Sequence, residues 1–275
     1  MEGKKKTNII ALTDFSEYGL SAVRHAATLA RLFQSSLTIL PNFSFRRNFI
    51  KKHPPKEFDM LLEEFAPSLE IKVDEEHYFP NQLHHFADQT NTIMYVIAVG
   101  RRKKDTFFNC RNAMRFIKPS RLPVMTVGKE PPRDEKWLNV LLTIDPDRQS
   151  KEKSLWAGYF CRFGGATIHL LHTVYKEAVL NDKLEDGKEF IDKLYQNLEI
   201  TSEAHEITPH TDDLEAYALR HTSDYDASLL VVMTTKYHTW VDALFGPREQ
   251  QWIANPAHFP VLCINERDDL YVLCT

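Results

Sequence analysis

The sequence predicts an α/β protein of two tandem, doubly wound domains. Three observations carry this: an internal repeat, a strict alternation of short apolar runs with helical patterns, and the composition of a packed protein. The repeat shows in Asn8-Ile9-Ile10-Ala11-Leu12-Thr13-Asp14, which returns 131 residues later as Asn139-Val140-Leu141-Leu142-Thr143-Ile144-Asp145. At the same offset Arg31 maps to Arg162, and Leu37-Thr38-Ile39-Leu40 maps to Ile168-His169-Leu170-Leu171. Leu122-Pro123-Val124-Met125-Thr126-Val127 returns as Phe259-Pro260-Val261-Leu262-Cys263-Ile264 with the offset grown to 137. Self-similarity of this kind means one structural unit used twice. The 275 residues amount to two ordinary domains, and 43% apolar with 26% charged residues excludes a disordered chain or a coiled-coil rod. The expected division is a first domain at 1–128, a polar, proline-bearing linker at 129–137, and a second domain at 138–275.

In the first domain Asn8 to Thr13 is a nearly continuous apolar run, as expected of a strand buried on both faces. From Ser16, a plausible N-cap, Leu20, Val23, Ala26, Ala27, Ala30 and Phe33 recur at helical spacing. Strand Ser36 to Asn42 follows. Phe58, Leu61, Leu62 and Phe65 mark a second helix, and Glu70 to Tyr78 alternates like a more exposed strand. A short helix at Asn81 to Gln89, the most hydrophobic strand at Met94 to Val99, a helix at Cys110 to Lys118 and a strand at Pro123 to Val127 complete the unit.

The second domain repeats the order. It has strand Asn139 to Ile144, a helix with Leu155, Trp156, Tyr159, Phe160 and Phe163, and strand Thr167 to Val174. A long helix then carries Leu184, Ile191, Leu194, Tyr195 and Leu198. Strand Glu203 to Thr208, helix Asp213 to Thr222, strand Ser228 to Met233, a helix from Pro247 and strand Val261 to Ile264 close it. Such alternation implies a Rossmann-like parallel sheet with right-handed crossovers and helices on both faces. Ligands of these sheets lie outside the carboxyl ends of the strands, which selects Asp14 to Ser16, Asn42 to Arg47, Gly100 to Asp105 and their counterparts.

Charge and length narrow the partners. Thirty-four Lys and Arg against 38 Asp and Glu give a net charge of −4, so no global positive field gathers nucleic acid or anionic lipid. No apolar stretch reaches the roughly 18 residues of a membrane span. The run before Asp14 is too short for a signal peptide, and a cytoplasmic location is expected. Cys110, Cys161, Cys263 and Cys274 lack disulfide or metal spacing and read as reduced thiols.

The segments Ile9-Ile10-Ala11-Leu12-Thr13-Asp14-Phe15-Ser16 and Tyr95-Val96-Ile97-Ala98-Val99-Gly100, with the closing Pro-Val strands, resemble the universal stress protein family, twice over. The resemblance implies a tandem protein of two adenine nucleotide alpha hydrolase-like domains, each a five-stranded parallel sheet of order 3-2-1-4-5. It further implies pairing of the two domains through their last strands, an intramolecular pseudo-dimer. Many family members bind ATP through an acidic residue after the first strand and a pattern after the fourth: Gly, two residues, Gly, nine residues, then Gly with Ser or Thr. Glycines admit phosphate oxygens close to backbone amides, and a helix N-terminus completes the anion site.

Here that pattern is degenerate. Gly100 matches the first position, but Lys103 stands at the second and Ala113 with Met114 at the last. In the second domain Thr234 and Tyr237 replace the first two glycines, and Gly246-Pro247 falls one residue early. Proline offers neither N–H nor hydroxyl. Asp14 and Asp145 could accept from adenine or ribose, as the resemblance implies, or could order the turn after the strand. Arg101-Arg102-Lys103-Lys104 could bind a phosphate by side chains or be solvated loop charge. Arg46, Arg47, Lys51 and Lys52, interleaved with Phe43, Phe45 and Phe49, could extend that patch or form an amphipathic loop.

The candidate binding residues are therefore Asp14, Gly100, Arg101, Arg102, Lys103, Asp145 and Gly246, with no catalytic or metal residue assigned. No Walker loop, nucleophile elbow or zinc helix is present in the sequence. Asp145-Pro146-Asp147 is better explained by its fold position than as a phosphatase nucleophile. His84 and Asp88 form a surface pair, and His169 and His172, three apart in a strand, point to opposite faces. The apolar tail from Asp268 to Thr275 could add an edge strand. The expected function is a non-catalytic stress-response protein acting through a ligand or an unidentified protein partner, with a homodimer also compatible. No cofactor is expected. The alternative is an ATP-binding protein with slow hydrolysis, mainly in the first domain.

Overall fold

The structure is a computed structural model and describes residues 6–45, 53–102, 105–132, 137–146, 152–208, 213–234, 249–255 and 257–265. The chain forms two compact units, Met1–Glu135 and Lys136–Thr275. Unit 1 contains β1 (Asn8–Leu12), α1 (Glu17–Leu32), β2 (Ser36–Leu40), α2 (Lys56–Phe65), β3 (Ile71–Val73), α3 (Pro80–Gln89), β4 (Thr92–Ala98), α4 (Cys110–Ile117) and β5 (Val124–Val127). Its parallel strands lie in the order β3-β2-β1-β4-β5. Unit 2 contains β6 (Asn139–Thr143), α5 (Glu152–Gly164), β7 (Thr167–His172), α6 (Ala178–Asn197), β8 (Ser202–Glu206), α7 (Leu214–Arg220), β9 (Leu229–Thr234), α8 (Glu249–Ile253) and β10 (Val261–Asn265). The same parallel order recurs there as β8-β7-β6-β9-β10. Each unit is thus a Rossmann-like, five-stranded sheet of order 3-2-1-4-5.

The unbroken apolar runs become central strands because both their faces are covered. All of β1 is buried, as are Tyr95, Val96 and Ile97 of β4. Helix α1 starts where expected: the Ser16 side chain accepts the N–H of Gly19 at 3.1 Å and caps it. Within this sheet Asn8 uses both ends of its amide laterally. Its Nδ2 donates to Thr92 Oγ1 at 3.0 Å, and its Oδ1 accepts from Thr38 and Ser36 hydroxyls at 3.1 Å each. This polar staple ties β2, β1 and β4 at their starts.

Two expectations change. The strand read over Glu70 to Tyr78 is continuous only at Ile71–Val73, because the Asp74 side chain turns the chain by accepting the N–H of Glu76 at 3.1 Å; pairing returns as a single bridge of Tyr78 with Phe43. The apolar residues of α5 do not form one buried face. Ser154, Ala157 and Phe160 are buried, while Leu155, Tyr159 and Phe163 are each more than 40% exposed.

Candidate functional site

The turn after β1 is built by three side chains. Phe15 has φ 58°, a left-handed conformation that strains a bulky residue. Its N–H donates to Thr13 Oγ1 at 3.1 Å, and its ring meets Phe58 edge-on at 4.9 Å. The Asp14 carboxylate closes the turn: Oδ1 accepts the Ser16 N–H at 3.1 Å and the Ser16 hydroxyl. Gly19 lets α1 approach this turn, since a Cβ there would lie 2.6 Å from Thr13 Oγ1 and 2.7 Å from Asp14 Oδ1.

The other carboxylate oxygen faces the segment after β4. Asp14 Oδ2 accepts the backbone N–H of Phe107 at 2.8 Å and the Thr106 hydroxyl at 3.3 Å. That segment folds back on its own start. Gly100 N–H donates to the Phe108 carbonyl at 3.0 Å, and a Cβ on Gly100 would lie 2.8 Å from Asp105 Cβ and 2.9 Å from Thr106 Cγ2. The space that the missing side chain of Gly100 leaves is filled by Asp105 and Thr106.

One cation of the basic run is paired. Arg102 is exposed, its Nε bonding Asp105 Oδ1 at 3.0 Å and its N–H donating to Asp105 Oδ2 at 3.0 Å. Arg101 is exposed beside it. Burial, then the Asp105 charge, raises the Tyr18 phenol above its ordinary value. Burial also pushes the Cys110 thiol up, which disfavours the reactive thiolate.

Outside the carboxyl ends of β2 and β4 stands a cluster of aromatic rings. Phe43, just after β2, lies 5.7 Å from Phe108, 6.0 Å from Phe107, 5.4 Å from Phe116 and 5.3 Å from Phe45. Phe45 stacks on Phe107 at 5.8 Å, and the Arg115 guanidinium covers its other neighbourhood at 4.6 Å. Such contacts contribute about 0.5–1.5 kcal/mol each beyond area burial and tie the segment after β2 to the segment after β4.

No protein-family model matches the chain, and no curated protein sequence does. Among solved structures, a universal stress protein from Archaeoglobus fulgidus DSM 4304 matches with a TM-score of 0.64 at 14% identity, over 95% of this chain and 97% of that one. A functionally unknown protein, PA1789, from Pseudomonas aeruginosa PAO1 matches with a TM-score of 0.61 at 14% identity, over 98% of this chain and 95% of that one.

The chain has the tandem universal stress protein fold.

Within that universal stress protein fold, the structure brings Asp14, Gly100, Arg101 and Arg102 to one sheet edge. Lys103, Lys104, Phe49, Arg46, Arg47, Lys51 and Lys52 lie outside the described residues, as do Gly246, Pro247, Cys274 and the C-terminal tail. In unit 2 Asp145 follows β6 and is half-buried. The chemistry near it belongs to residues that motif reading missed. Lys153 of α5, 1% exposed, donates from Nζ to Thr143 Oγ1 at 2.8 Å and lies 3.9 Å from Glu215 Oε1. The Thr143 hydroxyl donates to the same Glu215 oxygen at 2.8 Å. The sequence offered no signal for it, since Lys153 stands between Lys151-Glu152 and Ser154 and reads as an exposed helix start. A cleft of about 340 Å³ lies between α7 and α8, lined by Leu219, Arg220, Gln251 and Trp252. No described helix is long and apolar enough to cross a membrane.

Proposed function

We propose that this is a non-catalytic, cytoplasmic stress-response protein of the universal stress type, acting by binding a ligand or protein partner rather than by turning over ATP. The supporting observation is the occupancy of Asp14. Both carboxylate oxygens already accept protein donors, from Ser16, Thr106 and Phe107. A nucleotide would have to displace these bonds and open the loop packed over Gly100. Replacing satisfied hydrogen bonds with equivalent ones yields little net free energy, while opening the loop costs the aromatic contacts. The stress-response assignment follows the full-length likeness to a universal stress protein and the repeated sequence resemblance. The intramolecular pairing of the two domains that the resemblance implies is part of the same reading, with no cofactor required.

The test is thermal unfolding of the purified full chain with and without Mg-ATP, together with its absorbance at 260 nm. An ATP-binding protein at about a hundred times the dissociation constant gains roughly 2.7 kcal/mol, which raises Tm by several degrees. No shift and no co-purified nucleotide are expected. A shift that Asp14→Ala abolishes would replace this reading with the slow ATPase alternative.

A further inference from the structure

We propose that His169, Glu203 and His205 of unit 2 form a binding site for a divalent transition-metal ion of the zinc class. Strands β7 and β8 run parallel with His169 opposite Glu203 and Leu171 opposite His205. Side chains two apart on a strand share a face, and so do register partners. His169, Glu203 and His205 therefore converge on one face of the sheet. His169 Nδ1 lies 3.0 Å from His205 Nε2, and Glu203 Oε2 lies 3.6 Å from the first nitrogen and 3.8 Å from the second. A circle through three atoms with these separations has a radius of about 2.0 Å, the length of a Zn–N or Zn–O bond. The three donor atoms thus already stand at ligand spacing.

The donor set fits the ion. Two imidazoles and one carboxylate, with water completing the shell, suit Zn²⁺ and its neighbours rather than Mg²⁺ or Ca²⁺, which prefer all-oxygen sites. The Tyr225 ring packs 5.4 Å from the His169 ring and 5.1 Å from the His205 ring, limiting their rotation. The His169 side chain is 12% exposed and that of Glu203 56%, so the site opens to solvent on the carboxylate side. A nitrogen–nitrogen approach of 3.0 Å needs a proton on one of the two atoms. On metal binding that proton moves to the other nitrogen of its ring by exchange with water, and both lone pairs become available.

The duplication supplies an internal comparison. The equivalents in unit 1 are Thr38, its register partner Lys72, and Asp74 two residues on. There the Lys72 ammonium bonds Asp74 Oδ2 at 2.8 Å, so the chain provides its own cation. In unit 2 the same backbone positions carry three metal-type donors.

The test is titration of the metal-free full chain with Co²⁺, followed by competition with Zn²⁺. One equivalent of Co²⁺ should give the visible d–d absorption of a four- or five-coordinate site without a thiolate charge-transfer band, and Zn²⁺ should displace it. His169→Ala and His205→Ala should each weaken binding by about tenfold or more. His85→Ala, in unit 1, should leave it unchanged. Absence of Co²⁺ binding, a thiolate spectrum, or an unchanged spectrum in the combined His169→Ala/His205→Ala variant would overturn the site. If the variants fold poorly, histidine ring-nitrogen shifts of the unaltered protein on adding Zn²⁺ decide: movement at His169 and His205 supports the site, and movement only elsewhere overturns it.

Discussion

Asp14 Oδ2 accepts the N–H of Phe107 at 2.8 Å, joining the turn after the first strand to the loop after the fourth across 93 positions of sequence. The same carboxylate holds Ser16 and Thr106, so it acts as a knot between β1, the start of α1 and the β4–α4 loop. Its bonds are charge-assisted, stronger than those between neutral groups.

Asp14→Ala should therefore loosen the loop as well as the turn. The expected loss is about 1–3 kcal/mol of unfolding free energy, since a half-buried backbone donor loses a charged acceptor. Denaturant unfolding measures the loss, and hydrogen exchange locates it. The Phe107 amide should exchange faster while β5 amides keep their protection. Unchanged exchange at Phe107 would mean that the carboxylate does not hold the loop.

Gly100→Ala separates packing from phosphate binding. The new methyl would meet Asp105 Cβ and Thr106 Cγ2 below 3 Å, and both belong to side chains pinned by hydrogen bonds, Asp105 accepting the Arg102 N–H and Thr106 donating to Asp14. Overpacking of this kind costs about 1–3 kcal/mol. The variant should unfold earlier in denaturant even in nucleotide-free buffer. Wild-type stability without ATP would argue that Gly100 is kept for a ligand.

The topology was legible because it depends on local patterns: continuous apolar runs such as Asn8 to Leu12, a cap at Ser16, and the return of both at a fixed offset. The end-of-strand rule also located Asp14 and Gly100 at one edge. What the sequence withheld is what each side chain touches. The partner of Asp14 lies 93 residues away in a loop with no motif, and its path depends on which atoms fill the space over Gly100. The early end of β3 turns on one aspartate, Asp74, hydrogen-bonding its own turn. His169 was compared with His172 in its own strand, and only the register of β7 with β8 brings it to His205.

His25 gives the first unit an acid sensitivity. It is buried in α1, with Nδ1 donating to the Ser21 carbonyl at 2.9 Å. Burial lowers its pKa from 6.5 to about 4, against a smaller opposing effect of that hydrogen bond. Between these values the unfolded chain binds a proton that the folded chain excludes, so stability falls as pH drops from 6.5 towards 4 and is unaffected by this group above that window. The full loss is about 3 kcal/mol. His25→Gln, which can still donate to Ser21, should flatten the pH dependence of unfolding over that range. An unaltered slope would show that other groups set it.

The buried ammonium of Lys153 predicts an asymmetry between removing Glu215 and removing Lys153 itself. Its Nζ bonds Thr143 at 2.8 Å and faces Glu215 at 3.9 Å, while Thr143 and Glu215 are themselves bonded. Glu215→Ala leaves a buried positive charge whose remaining partner among the described residues is the Thr143 hydroxyl. Uncompensated buried charges cost about 3–5 kcal/mol, and the 3.9 Å separation places this case near the lower end. Lys153→Met removes the charge, keeps the volume of the stem and leaves the Thr143–Glu215 hydrogen bond in place. Glu215, 16% exposed, keeps access to water. The cost should be about 1 kcal/mol. The double variant Lys153→Met/Glu215→Ala should accordingly be more stable than Glu215→Ala alone, a reversal that urea unfolding of the three variants reads directly. If the double variant is the least stable of the three, Lys153 contributes packing and its charge is already satisfied without Glu215.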